Sequence, residues 1–286
     1  MTASETRAEP ASPATVPRAP SRRDGIAWRL LRLAVPVVTL GLLVVIWQVA
    51  VDTYQIRPFI LPRPSAVWDA LIENWDTLSR SLWVTVKVTL SALGLAVAGG
   101  VLLSILMQSR WIELGLFPYA VILQVTPIVA VAPLLIIWTS PNTQLALLIL
   151  AVLVAFFPIL SNTTAGLKAT DHNLLNLFEL YGANPWQRLI RLKIPSALPY
   201  FLTGLRTAGG LALIAAVVAE FAAGSAGRGS GLAFRVLESQ YRLQTARLFA
   251  ALLLLSLTGV AIYFATSFIS WLLLRRWHES AVRREN

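Results

Sequence analysis

The chain has 286 residues, of which 56% are hydrophobic and 13% are charged, and its formal net charge is +10. Soluble domains usually carry charge on about a quarter of their residues, so this composition excludes an ordinary soluble fold. Cysteine is absent, which excludes a disulfide framework, a thiolate metal site and a cysteine nucleophile.

The first 25 residues are predicted to form a disordered tail. Pro10, Pro13, Pro17 and Pro20 fall there among alanine, serine and arginine. A segment of this composition cannot bury enough apolar surface to offset the entropy cost of folding. The folded part of the chain is therefore predicted to be a single membrane domain over residues 26–280.

Apolar residues in this domain cluster in six stretches. Each is about 18 to 26 residues long, enough to cross a hydrocarbon core of about 30 Å at about 1.5 Å per residue. Backbone groups in lipid must hydrogen bond internally, so the predicted fold class is an all-α membrane protein with about six transmembrane helices. The predicted spans are residues 33–51, 82–107, 116–138, 144–161, 205–223 and 248–274.

The positive charges are distributed unevenly around these spans. Fifteen Lys and Arg residues lie in segments on one predicted side and seven on the other. By the positive-inside rule, both termini and the segment 162–203 are predicted to be cytoplasmic. No basic segment carries a nucleic-acid-binding motif, so nucleic acid is not an expected partner, and the charge indicates topology and lipid contact.

The third span is rich in proline. Pro118, Pro127 and Pro133 each remove a backbone donor, and such prolines survive in membranes where neighbouring helices or water satisfy the freed carbonyls. This favours a helix that faces the bundle interior and lines a pathway, although a merely kinked structural helix stays open. Gln124, Thr126 and Pro127 are the candidate pathway residues here.

Between the fourth and fifth spans, residues 165–199 are predicted to form a hairpin of two short amphipathic helices. Asp171 is predicted to cap the first helix, and Gly182 to end it in a left-handed turn. Asn184 followed by Pro185 has the composition of a new helix start. Pro195 and Pro199 are predicted to stop the second helix before the next span.

The hairpin carries an apolar stripe. In its first helix the apolar side chains recur at helical spacing, and they are Leu174, Leu175, Leu177, Phe178 and Tyr181. Trp186 continues the apolar surface on the second helix. A rigid hairpin of this kind between membrane spans indicates that something docks on it, although a turn and a helix stop also explain Gly182 and Pro195.

The same segment resembles a known family. The spacing from Gly182 over nine residues to Leu192-Lys193-Ile194-Pro195 is similar to the EAA loop, E-A-A-x3-G-x9-I-x-L-P, of the membrane subunits of binding-protein-dependent ABC importers. The chain departs from that pattern at 176–178, where Asn-Leu-Phe replaces Glu-Ala-Ala, and at Ile194 in place of leucine. The wider run from Gly182 to Arg206 resembles the permeases for nitrate, sulfonate, taurine and pyrimidine-type or flavin-type precursors.

The resemblance implies a type I ABC importer permease in the cell membrane. It implies two copies of the permease, as a homodimer, with two separate ATPase subunits below and a solute-binding protein outside. ATP and Mg²⁺ would bind on the ATPase, and no cofactor on this chain. The residues expected to dock the ATPase are Leu177, Phe178, Glu179, Tyr181, Gly182, Trp186 and Pro195. The imported solute is expected to be a small organic or anionic compound, resembling a pyrimidine or vitamin precursor, or a sulfonate, taurine or nitrate.

Two ionisable residues fall inside predicted spans, where charge is costly and often functional. Lys87 and Glu220 are predicted to lie at similar depths near the outer ends of spans two and five. We predict that they form an ion pair. The sequence leaves open whether this pair is only structural or the side chains merely reach the membrane interface. It also leaves open a charged gate or a substrate contact at the outer mouth.

Catalytic patterns are missing from the sequence. There is no G-x-x-x-x-G-K-[ST] motif for nucleotide phosphates, and His172 and His278 lie too far apart in sequence to form a metal-binding motif. The chain is therefore expected to be a transport subunit without an ATPase site, not an enzyme, and to hold no metal. The alternative is a secondary transporter driven by an ion gradient, a class that usually shows paired repeats and broken helices.

Overall fold

The computed structural model describes residues 26–224 and 229–275. The predicted disordered tail, residues 1–25, and the end of the predicted domain beyond Arg275 lie outside the described residues. Within the described ranges all regular structure is helical. The elements are α1 (Ile26–Thr53), α2 (Pro64–Glu73), α3 (Trp75–Leu106), α4 (Arg110–Val125), α5 (Ile128–Trp138), α6 (Thr143–Lys168), α7 (His172–Leu180), α8 (Pro185–Arg188), α9 (Ile194–Ala223), α10 (Leu232–Tyr241) and α11 (Thr245–Leu274), with a π-helical turn, Leu189–Lys193, between α8 and α9.

The chain divides into two compact units, one up to Ala50 and the other from Val51 onward. The first unit holds most of α1, whose segment Ala34–Thr53 is long and apolar enough to cross a membrane. Its large side chains are exposed over most of their surface, as in Val37, Leu40 and Val45. Exposed apolar side chains around a helix of this length are typical of a surface that faces lipid.

The second unit is built on α3, α6 and α9, with α11 against α9. Its core is made largely of alanine and leucine; Ala92, Ala151, Ala155, Ala208 and Ala216 are fully buried. Small residues let helix backbones approach closely, and close packing is the main attraction between helices in lipid. Their recurrence along these three helices therefore decides which faces meet.

Contacts along these helices give their relative directions. Gly100 of α3 lies beside Ile159 of α6, and Val88 lies in one cluster with Leu147, so α3 and α6 run parallel. Two parallel consecutive spans require the intervening chain to return across the membrane. The segment that returns is α4 and α5. Six crossings therefore follow if the α4–α5 pair counts as one span, and five helices are long and apolar enough to cross alone.

The predicted third span is not one helix. Arg110–Val125 and Ala130–Trp138 are bent by 106° relative to each other. Thr126, the residue before Pro127, is extended with φ −66° and ψ 125°, because a residue before proline clashes sterically in the helical region. The prediction of a single helix over 116–138 is therefore wrong. Pro127 marks the break, whereas Pro118 and Pro133 lie inside α4 and α5.

The fifth span is longer than predicted. Residues Pro185–Ala223 form one run of 39 residues, so Pro195 and Pro199 do not end the second hairpin helix and that prediction is wrong. In the π turn the N–H of Ile194 bonds to the carbonyl of Leu189, five residues back. The wider turn precedes Pro195, which sits in the first turn of α9 where its missing N–H costs little.

The two ends of the bundle are distinct. One end, the hairpin side, holds α7 and α8 with the end of α3, where Lys193 Nζ donates to Gln108 Oε1 at 3.0 Å. The opposite end, the distal side, holds α2 and α10. There Arg235 Nε donates to Ser81 Oγ at 2.9 Å. The assignment of the hairpin side and both termini to the cytoplasm stays a prediction.

Candidate functional site

The hairpin has the end structures that the sequence predicts. The Asp171 side chain accepts the backbone N–H of Asn173 at 2.8 Å and caps α7. Gly182 has φ +70°, and the N–H of Ala183 reaches the carbonyl of Phe178 at 2.9 Å. This is a Schellman turn, and its left-handed residue strongly favours glycine.

The second hairpin helix begins with a complete capping box. Asn184 Oδ1 accepts the N–H of Gln187 at 2.8 Å, and Gln187 Oε1 accepts the N–H of Asn184 at 3.0 Å. Pro185 occupies the first helical position, where no intrahelical donor is needed. Two reciprocal side-chain bonds therefore fix the direction in which the chain enters the fifth span.

An arginine closes the hairpin. Arg188 Nε donates to the carbonyl of Ala183 at 3.0 Å, and its guanidinium pairs with the Glu179 carboxylate. Glu179 is one of the residues expected to dock the ATPase, and in this structure its carboxylate has a partner in its own chain. The pair links α7 to α8 across the turn and stiffens the hairpin.

The apolar face of the hairpin is open. None of the side chains of α7 is buried. Leu180 and Tyr181 are 85% and 83% exposed, Trp186 is 64% exposed and Leu177 is 45% exposed, whereas Phe178 is partly covered. Leu180, three residues after Leu177, is missing from the predicted stripe. Exposed large apolar side chains in one patch mark an interaction surface.

A groove of about 620 Å³ runs beside this patch. It is lined by Leu175, Pro185, Leu189 and Trp186 together with Gln108, Glu179, Arg188 and Lys193. Inside this groove the Lys193–Gln108 hydrogen bond links the hairpin to the residues just after α3. Nearby, Lys168 pairs with Glu113 and ties the end of α6 to the start of α4. Anything that moves the hairpin therefore acts on α3 as well as on α9.

The predicted Lys87–Glu220 ion pair is not formed, and that prediction is wrong. Glu220 is 3% exposed, and its carboxylate accepts the Thr85 hydroxyl at 2.8 Å and the N–H of Ala233 at 2.9 Å. Lys87 is exposed on α3. Residues two positions apart on an α-helix point about 200° apart around its axis. Because Thr85 faces Glu220, Lys87 points away from it.

The other pathway candidates lie at the break between α4 and α5. Gln124 is exposed, and Thr126 is partly exposed with its hydroxyl donating to the carbonyl of Ile122 at 2.7 Å. Pro127 precedes the first residue of α5. The structure therefore places these three residues together, at a point where the backbone leaves helical geometry. Whether solute passes there stays a prediction.

A charged cluster on the distal side is missing from the sequence-based prediction. Glu238 contacts Arg235 at 2.8 Å, Arg242 at 3.0 Å and Arg247 at 3.5 Å. Burial alone would raise the pKa of the Glu238 carboxyl, but the hydrogen bond from Arg235 and the charges of Arg235, Arg247 and Arg242 outweigh it, so that the pKa lies below its ordinary value. Arg235, Glu238 and Arg242, which directly follows α10, fall at i, i+3 and i+7, a spacing visible in the sequence. Arg247 is brought in by α11.

Together these features define the class of the molecule: a multi-pass helical membrane protein whose exposed hairpin leads directly into a transmembrane helix. Residues 91–283 match the family described as binding-protein-dependent transport system inner membrane component. The chain belongs to this family of ABC transporter permeases, and it is an inner-membrane protein. The predictions of family, fold class and membrane location are confirmed, and the alternative of a secondary transporter is not favoured.

Relatives with assigned names support the same placement. The riboflavin transport system permease protein RibX of Chloroflexus aurantiacus is 37% identical over 85% of this chain and 90% of its own length. The formylaminopyrimidine transport permease protein ThiX of Halalkalibacterium halodurans is 34% identical over 77% of this chain and 86% of its own length. A crystal structure of an amino acid ABC transporter with histidines matches with a TM-score of 0.58 at 16% identity, covering 72% of this chain and 96% of that one. That likeness shows the fold.

Proposed function

We propose that this chain couples ATP hydrolysis on a separate subunit to the import of a small solute. Permeases of this family generally work with an ATPase and a binding protein. The observation that carries the proposal is the continuous helix Pro185–Ala223, which begins in the hairpin and spans the bundle. At about 1.5 Å per residue, its 39 residues are about 58 Å long. A force on the hairpin therefore acts directly on a transmembrane helix.

The proposed docking surface for the ATPase is the exposed apolar patch of Leu177, Leu180, Tyr181 and Trp186, with Phe178 at its edge. Gly182 shapes the turn beneath it, and Pro195 lies where the hairpin joins α9. ATP and Mg²⁺ bind on the partner ATPase in this proposal, and this chain binds no cofactor. Closure of the ATPase pair moves two hairpins together and shifts the bundle between two arrangements, each accessible from one side.

The second subunit is proposed to be another copy of this chain. Thr203, Arg206 and Thr207 are exposed on α9, and the Arg206 guanidinium lies 5.9 Å from the Tyr263 ring centroid. An arginine within a span is costly in lipid. A second copy related by twofold symmetry covers such a face with the same face of its partner.

The proposed solute is a heteroaromatic vitamin precursor. The two relatives reported above are named for riboflavin and for a formylaminopyrimidine, and both compounds contain nitrogen heterocycles. Binding of these two compounds and of taurine to the purified solute-binding protein of this transporter tests the proposal. Binding of taurine alone would contradict it.

The docking proposal has a matched pair of variants. Leu177→Asp places a charge on the apolar face of α7, whereas Asn176→Asp places the same charge on the neighbouring polar face. In membranes that contain the tagged transporter, we expect Leu177→Asp to lose the co-purifying ATPase and solute uptake while the permease still inserts. Asn176→Asp should keep both. Equal retention of the ATPase by the two variants would contradict docking on this face.

A further inference from the structure

The end of α9 on the distal side has an unusual arrangement of hydrogen bonds. The N-cap residue of α10 is Gly231, which has no side chain to cap the helix. The first N–H groups of a helix have no partners within that helix and need acceptors from elsewhere. Here those acceptors come from two other helices, α9 and α3.

Two consecutive N–H groups are satisfied in this way. The N–H of Leu232 donates to Thr85 Oγ1 at 2.9 Å, and the N–H of Ala233 donates to Glu220 Oε2 at 2.9 Å. The Thr85 hydroxyl donates in turn to Glu220 Oε1 at 2.8 Å. A carboxylate at a helix N-terminus is also favoured by the helix dipole.

Gly231 is required by this contact. A Cβ at that position would lie 2.0 Å from Glu220 Oε1 and 2.3 Å from Cδ. The backbone φ of −86° at Gly231 is ordinary, so the need for glycine comes from space alone. The carboxylate fills the position that any larger residue would take.

We propose that Glu220 and Thr85 are positioning residues that fasten α10 to the transmembrane helices α9 and α3. Movement of α9 is thereby transmitted to the distal surface of the protein. The inference rests on the proposed function, because it takes the movement of α9 to be driven from the hairpin. Glu220 is the last charged residue of the same continuous helix that begins at Pro185.

The element so fastened carries the charged cluster described above. Arg235 of α10 donates to Ser81 of α3 at 2.9 Å, and Glu238 holds Arg242, whose side chain is 61% exposed. The first turn of α10 is thus fixed to α9 and α3, and its next turn to α3 again. Arg242, directly after α10, therefore presents an exposed positive charge on the distal side.

The chain offers an internal control for the test. Thr85 and Thr89 lie one turn apart on α3 and are both fully buried. The Thr89 hydroxyl donates only to the carbonyl of Thr85 in its own helix, at 2.8 Å. Thr85→Val and Thr89→Val therefore remove the same atom from equally buried sites, and only the first removes a contact between helices.

The experiment uses the complete transporter in proteoliposomes and compares ATP hydrolysis with and without the solute-binding protein. Thr85→Val should reduce the stimulation by the binding protein by about tenfold or more, because it removes both buried hydrogen bonds of the hydroxyl and one such bond is typically worth about fivefold. Basal hydrolysis and the amount of assembled complex should stay unchanged. Thr89→Val should behave as the unmodified protein, and Thr85→Ser, which keeps the hydroxyl, should restore stimulation.

A second measurement does not need the binding protein. The chain has no cysteine, so spin labels can be attached at single introduced cysteines, at Asn176 on α7 and Gln240 on α10. Thr85→Val and Gly231→Ala should broaden the distribution of distances between these labels, and Thr89→Val should not. Gly231→Ala displaces the carboxylate without removing it, so it tests the geometry and not the charge.

The outcomes separate the two proposals. If the unmodified complex shows no ATPase association, the proposed function fails and the fastening role fails with it. If the complex is stimulated normally but Thr85→Val and Thr89→Val are indistinguishable in both measurements, the fastening role is overturned while the docking of the ATPase stands.

Discussion

A close approach between α6 and α9 provides a quantitative test of the packing. A Cβ at Gly204 of α9 would lie 2.7 Å from the carbonyl oxygen of Pro158 and 3.0 Å from the Cβ of Asn162. The carbonyl belongs to the backbone of α6 and cannot rotate away, so Gly204→Ala must push the two helices apart. At Gly210, six residues further along α9, nothing lies within 4 Å of the same position.

The expected magnitude follows from two terms. Alanine is favoured over glycine inside a helix by about 1 kcal/mol, and this gain is common to both substitutions. Overpacking in a close-packed interior costs about 1 to 3 kcal/mol and applies only at Gly204. The free energy of unfolding should therefore be lower for Gly204→Ala than for Gly210→Ala by about 1 to 3 kcal/mol, roughly 5- to 150-fold in the equilibrium constant.

The assay is equilibrium unfolding of the purified chain in mixed detergent micelles with increasing dodecyl sulfate. Intrinsic fluorescence can report the transition, since the chain contains 10 tryptophans. Uptake in proteoliposomes should also fall for Gly204→Ala, because the proposed mechanism requires α9 to move while it stays packed on α6. Equal stability of the two variants would refute the close approach and the packing argument built on it.

Three further predictions follow from the described contacts. Asn184→Ala removes the capping box and should destabilise the hairpin by about 1 kcal/mol, measured as faster amide exchange over 185–190. The pKa of Glu238 lies below its ordinary value of 4.5, so its ion pairs stabilise the fold at neutral pH and this contribution is lost as the pH falls through the lowered pKa. Glu238→Gln should accordingly lower the melting temperature at pH 7 and make the melting temperature fall less steeply as the pH is lowered. A variant whose melting temperature falls with pH as steeply as that of the unmodified protein would contradict this. Because Lys87 and Glu220 do not touch, the effects of Lys87→Met and Glu220→Gln on stability should add, and a coupling energy above about 0.5 kcal/mol would contradict the structure.

The hairpin shows how much local sequence decides. Asp171, Gly182 and Asn184 act on backbone groups within a few residues of themselves. Caps and left-handed turns are set by such short-range bonds, so their positions can be read without knowledge of the fold. The apolar spans can be predicted equally well, because lipid imposes a length and a composition on any helix that crosses it.

The proline positions show where local reasoning fails. Pro127 and Pro195 have the same missing donor, yet the chain bends by 106° after α4 and runs on through Pro195 as one helix. The difference lies in the preceding turn. A π turn precedes Pro195, while Thr126 before Pro127 is extended. Which of these two backbone conformations forms depends on what each helix packs against, and the local sequence does not carry that information.

Glu220 shows the same limit for a single side chain. The sequence places a carboxylate inside a span and predicts a charged partner, because an isolated buried charge is costly. The structure satisfies it instead with the N–H groups of α10 and with Thr85, 135 positions away in the chain. Hydrogen-bond donors of the backbone are present at every residue and leave no mark in the sequence.

The sequence alone therefore determines that this protein is a helical membrane protein of the permease family, with an apolar hairpin before its fifth span. These properties depend on composition and on bonds between near neighbours. The tertiary structure alone decides that the second hairpin helix and the span form one helix, that Glu220 holds α10, and that α6 and α9 meet at Gly204. Each of these depends on groups distant in the chain, whose meeting is governed by packing across the whole bundle.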